Sequence, residues 1–290
     1  MNKHCHFLVL LLSLAMSSCQ CSSQDFKEYE GEYYGKVGSK VKYVKEDKDK
    51  TIIETRQEKE SDKDDFLLGL PIMKDNSSSI VLRRKAYTLS YNVELKNPNW
   101  VAWYLSAAHA DGEWARSNDY REDFDVPAPR ATNDDYRGST WSRGHMCPAG
   151  DNKWDAEAMS ESFLLSNMCP QDRNLNSGLW NRVETDCRKW AQKYGGIYIV
   201  CGPLYYNKEH ETIGDNKVVV PEAFYKVVLC MEGRPKAIGF VVKNNAGTKK
   251  KDQYVNSVDE VERITGIDFF SGVPDNIENE IEANANIGDW

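Results

Sequence analysis

No CxxC pair occurs among the eight cysteines of this 290-residue chain, and His145 and Cys147 do not stand at a finger-type spacing. Zinc-finger and zinc-ribbon classes are therefore excluded. No apolar run is long enough to cross a bilayer as a helix. No internal repeat, helix-turn-helix pattern or other sequence-reading module is present. The chain also lacks an excess of basic charge: 37 Lys and Arg face 45 Asp and Glu, for a net charge of −8. Such a balance argues at first against a polyanionic ligand. The distribution removes that objection, because residues 24–65 carry ten basic and thirteen acidic groups and residues 268–290 carry six acidic groups and no basic one. The block 66–267 is left neutral. With 40% apolar residues, 28% charged residues and a mean hydropathy of −0.65, the chain suits one large core or two small ones.

The N-terminus has the layout of a secretory signal over residues 1–18: one basic residue, Lys3, then an apolar run from Phe7 to Ala15, then small residues. Ser17-Ser18-Cys19 resembles the lipobox of bacterial lipoproteins, in which the cysteine is acylated. That resemblance implies an exported protein anchored to a membrane through lipid on Cys19, facing periplasm or exterior. Cleavage near Ala15-Met16-Ser17 would release a secreted chain instead. Either route permits disulfides. Cys21, Cys147, Cys169, Cys187, Cys201 and Cys230 are then available, with fifteen connectivities, and one or two bridges are expected.

Residues 19–65 read as a charged tether or small appendage, with weak strand-like alternation around Val37 to Val44. The main domain is expected over 66–272, followed by a frayed acidic tail, 273–290. Residues 218–230 and 237–242 are β-branched and aromatic and are separated by Glu232-Gly233-Arg234-Pro235, which predicts a hairpin. Ile197 to Cys201 is a further strand, ended by Gly202-Pro203. Trp180, Val183, Cys187, Trp190, Ala191 and Tyr194 recur at three- and four-residue steps, predicting one helix over 176–194. The class is α+β.

Three stretches carry the chemistry: Ser142-Arg143-Gly144-His145, Ser166-Asn167-Met168-Cys169-Pro170-Gln171, and the run from Leu175 to Arg188. Singly, each has an ordinary structural explanation. A histidine beside glycine suits a turn, an asparagine suits an N-cap, and Glu184 and Arg188 suit a surface ion pair. Jointly they supply a histidine able to act as a base near neutral pH, an oxygen ligand for a hard cation, a carboxylate, and arginines for a phosphate. On one helix Asn176, Trp180, Glu184 and Arg188 advance by four residues, so Asn176 and Glu184 could address one metal-bound water shell.

The order and spacing of these residues over 80–271 resemble the DNA/RNA non-specific endonuclease family of the ββα-metal (His-Me finger) superfamily. The family's Asp-Arg-Gly-His appears as Ser142-Arg143-Gly144-His145, and its Asn-x-x-Pro-Gln as Asn167 to Gln171. Its Leu-Asn-x-Gly-x-Trp-x-x-x-Glu is met by Leu175, Asn176, Gly178, Trp180 and Glu184, and its further arginine by Arg188.

The resemblance implies a central antiparallel sheet flanked by helices and a nuclease acting on DNA and RNA. It also implies His145 as general base, Asn176 as the direct ligand of Mg²⁺, or of Mn²⁺ in its place, and Glu184 holding a metal-bound water. Arg143 and Arg188 would stabilise charge on the phosphate or hold its neighbours, while Ser142, Asn167 and Gln171 would support the site. Ser142 departs from the family's aspartate. Arg130 is a further candidate phosphate contact, Lys249-Lys250-Lys251 a basic loop that could touch a strand backbone, and a homodimer a further expectation. No sequence-specific nucleic-acid partner is expected. Three alternatives stay open: a catalytically impaired nuclease-like domain that binds nucleic acid or a surface partner, a structural lipoprotein dominated by zinc or disulfides, and another phosphoesterase.

Overall fold

Strands that are apolar on both faces must be covered on both faces, and the longest strands of this protein are of that kind. The computed structural model describes residues 68, 70–74, 78–247 and 250–290, and the backbone alone of β1 (Glu32–Tyr34), β2 (Lys40–Val44) and β3 (Ile52–Thr55). The signal, Cys19, Cys21 and the rest of the tether lie outside the described residues.

The chain divides into two units, Met1–Gln57 and Glu58–Trp290. In the first, β1, β2 and β3 pair antiparallel. Of the alternation around Val37 to Val44, residues 40–44 form β2 and the remainder lies outside the described residues.

The second unit contains β4 (Ile72–Met73), β5 (Ser79–Arg83), β6 (Thr88–Asn92), β7 (Asn97–Ser106) and helix α1 (Asn133–Tyr136). β8 (Ser142–His145), α2 (Ala156–Glu161), β9 (Met168–Gln171) and α3 (Asn181–Tyr194) follow. Next come β10 (Gly196–Leu204), β11 (Thr212–Ile213), β12 (Val218–Val219), β13 (Ala223–Cys230) and β14 (Lys236–Lys243). The unit closes with β15 (Val255–Asn256), α4 (Val258–Thr265), β16 (Ile267–Asp268) and α5 (Asp275–Glu282).

Its sheet runs β5-β6-β7-β10-β13-β14-β15, antiparallel at every pair. Every residue of β10 and β13 is buried. Trp100, Tyr198, Val200, Tyr225 and Val227 on one sheet face pack with Val258 and Val261 of α4, with Phe269 and Phe270 just after β16, and with Ile281 of α5. The Trp190 ring of α3 stacks on Phe240 of β14, and Trp180 lies tilted against Phe224 of β13. The fold is thus α+β, with an antiparallel sheet flanked by helices, and β13 and β14 form the expected hairpin.

Several boundaries differ from expectation for identifiable reasons. β10 continues through Gly202-Pro203, because β7 pairs it only as far as Cys201 and the missing N–H of Pro203 costs no ladder bond there. Pro221 separates β12 from β13, so residues 218–230 are two strands. Residues 176–194 are not one regular helix: Asn176–Trp180 is a π-helical turn in which Gly178 leaves helical geometry, and the α-helix starts at Asn181. Gly195, at φ 93°, ends α3 in a conformation that glycine adopts without strain and turns the chain directly into β10.

Cys147, Cys169, Cys187, Cys201 and Cys230 are all free and buried, which corrects the disulfide expectation for the described residues. They behave as small core hydrophobes. The tail is not frayed: α5 buries Ile281, and Trp290 lies against Trp190 and Tyr194.

Candidate active site

β8 and β9 pair antiparallel with Arg143 opposite Pro170 and His145 opposite Met168, and the chain passes from β9 through the turns over 173–180 into α3. This ββα unit brings the ends of the three sequence stretches together. Gly144 is required by close approach, since a Cβ there would lie 2.3 Å from Gln171 Oε1. The buried Gln171 side chain packs on that glycine and makes no hydrogen bond of its own. Asn167 fixes the loop after β8 with three bonds: its Oδ1 accepts from the Cys147 N–H at 2.9 Å, and its Nδ2 donates to the carbonyls of Cys147 and Ser162, both at 2.9 Å.

A cavity of about 300 Å³ contains His145, Arg143, Asn176, Glu184 and Arg188, together with Arg116, Tyr120 and Asn181. A second, of about 630 Å³, shares Tyr120, Arg143 and Asn176 with it and adds Arg137, Trp141, Ser142 and Arg173. The two form one groove lined by five arginines. Among the described residues lining it, Glu184 is the one carboxylate. The local field is therefore cationic in a chain that is acidic on average.

His145 is 7% exposed, with its ring against the edges of Tyr120 and Phe163. Its Nε2 is buried without a hydrogen-bond partner. Burial, then Arg116 and Arg143, push its pKa down to about 3, so the imidazole is neutral and free to take a proton. Burial pushes Glu184 up to about 7, against the opposing charge of Lys226.

The arginines are held in place. Arg143 donates to Asn133 Oδ1 at 2.6 Å and lies 4.0 Å over the Tyr120 ring. Arg188 pairs with the buried Asp151 at 2.9 Å and donates to Thr185 Oγ1. Asp151 also accepts from Trp103 Nε1 at 3.1 Å. Arg116 donates to the Tyr120 hydroxyl at 3.1 Å and lies 4.8 Å over Phe163.

Asn176 Nδ2 donates to Ser142 Oγ at 3.0 Å, and Ser142 Oγ donates in turn to the Gln171 carbonyl at 2.7 Å. With its proton spent on Gln171, the hydroxyl can only accept from Asn176, which leaves Asn176 Oδ1 as a free oxygen donor. Glu184 shares the cavity, half-buried and with no ion pair or hydrogen bond among the described residues. An amide oxygen and an uncommitted carboxylate fit a hard divalent cation such as Mg²⁺.

The structure does not bring Arg130 to this groove. Its guanidinium pairs with Glu122 at 3.1 Å, donates to the Val126 carbonyl and covers the Phe124 ring, so its described partners are those of a structural arginine. Lys251 of the basic loop pairs with Asp186 of α3 rather than standing free. Sequence reasoning missed Arg116, Tyr120, Arg173, Asp151 and Lys226. Lys226 is 1% exposed, and its Nζ lies 4.9 and 5.0 Å from the ring centroids of Trp103 and Trp180. No local motif marks any of these five: Arg116 and Tyr120 share a loop outside the three stretches, Lys226 stands on β13, and Asp151 and Arg173 fall between the motif positions.

A family model described as DNA/RNA non-specific endonuclease matches residues 71–276. The chain is 38% identical over 201 residues to the mitochondrial nuclease EXOG of Xenopus laevis, covering 63% of this chain and 56% of that protein. It is 32% identical over 205 residues to the mitochondrial endonuclease G of Homo sapiens, covering 66% and 69%. Among solved structures, a crystal structure of an EndoG/EndoGI complex matches with a TM-score of 0.64 at 31% identity, over 67% of this chain and 86% of that one. The chain thus spans little more than half the length of the EXOG protein it matches.

Proposed function

The chain belongs to the DNA/RNA non-specific endonuclease family, and from that premise we propose that it is a metal-dependent endonuclease hydrolysing phosphodiester bonds in DNA and RNA without sequence specificity. The observation that carries this reading is the meeting of His145, Asn176 and Glu184 in one arginine-lined cavity. A groove that holds the backbone through guanidinium groups binds any sequence, since phosphates carry no base information.

Asn176 Oδ1 would hold Mg²⁺, or Mn²⁺ in its place, with Glu184 engaging a water of its shell. The ion when bound supplies Lewis-acid stabilisation of charge on the scissile phosphate and its leaving oxygen. Nε2 of His145 is out of reach of water, so Nδ1 is the atom that takes the proton from the attacking water. Arg116 and Arg143 depress the histidine's basicity in the free protein; a phosphate between them offsets their charge and raises it when substrate is bound. Arg188, steadied by Asp151, adds a donor to the phosphate oxygens. Attack on phosphorus with departure of the 3′ oxygen leaves 5′-phosphate ends.

Export and anchoring through Cys19 remain part of the proposal and rest on the apolar run and small residues before that cysteine. Cys19→Ala should move the protein from the membrane fraction to the soluble fraction; unchanged partitioning contradicts the anchor. The activity itself is tested with the full chain, supercoiled plasmid and structured RNA. Cleavage of both in Mg²⁺ and of neither in EDTA is expected. A folded protein that cuts neither contradicts the reading.

A further inference from the structure

Away from the groove, Asp259 and Glu262 of α4 and Glu282 of α5 each bring one carboxylate oxygen within 4.8 Å of the other two. Glu282 is 4% exposed, and its Oε1 is buried with no hydrogen-bond donor. Glu262 Oε1 accepts from the Phe269 N–H at 2.7 Å. Among the described residues no basic group pairs with any of the three. The nearest candidate in sequence, Arg263, is taken by Glu260 at 2.7 and 2.8 Å.

Glu282 cannot stay ionised and uncompensated beside the other two, because a buried charge without a partner is unstable and its like-charged neighbours worsen it. Either protons or a cation must hold the cluster together. Burial and the surrounding carboxylates, Asp268 and Glu278 included, push Glu262 up to about 7 and Glu282 up to about 9, so both respond to added positive charge near neutral pH.

Oxygens within 4.8 Å of one another fit a hard divalent cation, and calcium, with a flexible shell of about six to eight oxygens at about 2.3–2.6 Å, suits a mixed set of carboxylates and waters better than magnesium with its strict octahedron. Asp259 is exposed in the first turn of α4, which gives an ion an entry path and room for waters. Glu282 closes the other side from the last turn of α5.

We propose that Asp259, Glu262 and Glu282 form a second divalent-cation site, suited to calcium and separate from the groove, which clamps the C-terminal helix α5 to α4. The orphaned Glu282 oxygen gains its missing partner there, and Ile281 beside it is held in the core.

The test uses the full chain stripped of metal and titrated with CaCl₂ alone, followed by calorimetry and thermal melting. Wild type is compared with Asn176→Ala, Glu282→Gln and Glu262→Gln. Wild type and Asn176→Ala should both bind calcium at this site and melt several degrees higher in 1 mM CaCl₂. Both glutamine variants should lose that binding at least tenfold and melt no lower than wild type in EDTA, since a neutral amide replaces the protonated acid there without adding a repelling charge. Three results would overturn the proposal: calcium binding lost only in Asn176→Ala, Glu282→Gln binding as tightly as wild type, or a melting temperature indifferent to calcium that rises as pH falls from 9 to 7. The last would show that protons hold the cluster.

Discussion

The amide of Asn176 donates to Ser142 Oγ at 3.0 Å, and because the serine's own proton goes to the Gln171 carbonyl, the amide nitrogen is the committed end of Asn176 and its oxygen the free one. Serine at position 142, where the resembled motif has aspartate, therefore still holds the proposed metal ligand by a hydrogen bond, without a negative charge. This weighs against a disabled, binding-only domain.

Ser142→Ala should loosen that orientation. A hydrogen bond of this kind contributes on the order of 1 kcal/mol, so the Mg²⁺ concentration giving half-maximal cleavage should rise about fivefold. Metal titration of activity checks it, with an unchanged requirement counting against the role assigned to Ser142.

Asn167→Ala should be destabilising with no direct effect on chemistry. It strands the Cys147 N–H and the carbonyls of Cys147 and Ser162 in the interior. Unsatisfied buried groups cost about 1–3 kcal/mol each, with partial relaxation, so a loss of about 3 kcal/mol in urea unfolding is expected. A loss below about 1 kcal/mol would mean that water replaces the amide freely.

His145 makes stability depend on pH in a known direction. Its folded pKa, down at about 3, lies below the ordinary 6.5, so between those values the unfolded chain binds a proton that the folded one does not. Stability from this group is complete above about pH 6.5 and falls toward pH 3, with a slope of at most about 1.4 kcal/mol per pH unit. Denaturant titrations over that window should show a shallower dependence for His145→Ala than for wild type. Parallel curves would place the histidine's proton elsewhere.

Arg116→Ala should weaken DNA binding and flatten its salt dependence by about 0.9 in the slope of log K against log[salt] if one phosphate contact is lost. Arg234, 90% exposed beside Glu280 and lining neither cavity, serves as the control whose removal leaves that slope unchanged. Fluorescence anisotropy across a salt series measures both.

Much of the site could be read from sequence because β8, β9 and the start of α3 lie within 47 consecutive residues, 142–188, so that spacing translates directly into proximity. The groove's remaining parts could not. Arg116 and Tyr120 arrive from a long loop, and Lys226 sits in a strand where a lone lysine among apolar residues reads as a surface position. The net charge of −8 says little about the site, since it sums the N-terminal and C-terminal segments with a groove lined by five arginines; the neutral block 66–267 was legible, the cationic groove within it was not.

The cysteines were weighed by compartment rather than by neighbours. Cys201 and Cys230 fall inside wholly buried strands, and Cys187 lies on the apolar face of α3, where a thiol is simply small and apolar. The four-residue step Asn176, Trp180, Glu184, Arg188 runs across Gly178, which hid the break. In the tail, acidic density masked the three- and four-residue spacing of Ile277, Ile281 and the residues that pack with them.

The central claim is that His145 is the base of a nuclease and not a scaffold for binding. It is tested most directly by measuring plasmid binding in EDTA and Mg²⁺-dependent nicking on matched preparations of wild type and His145→Ala. The account predicts equal binding within about twofold and a loss of cleavage of about 10²–10⁴-fold. Wild-type nicking by His145→Ala, or cleavage and binding lost together in a folded variant, would contradict it.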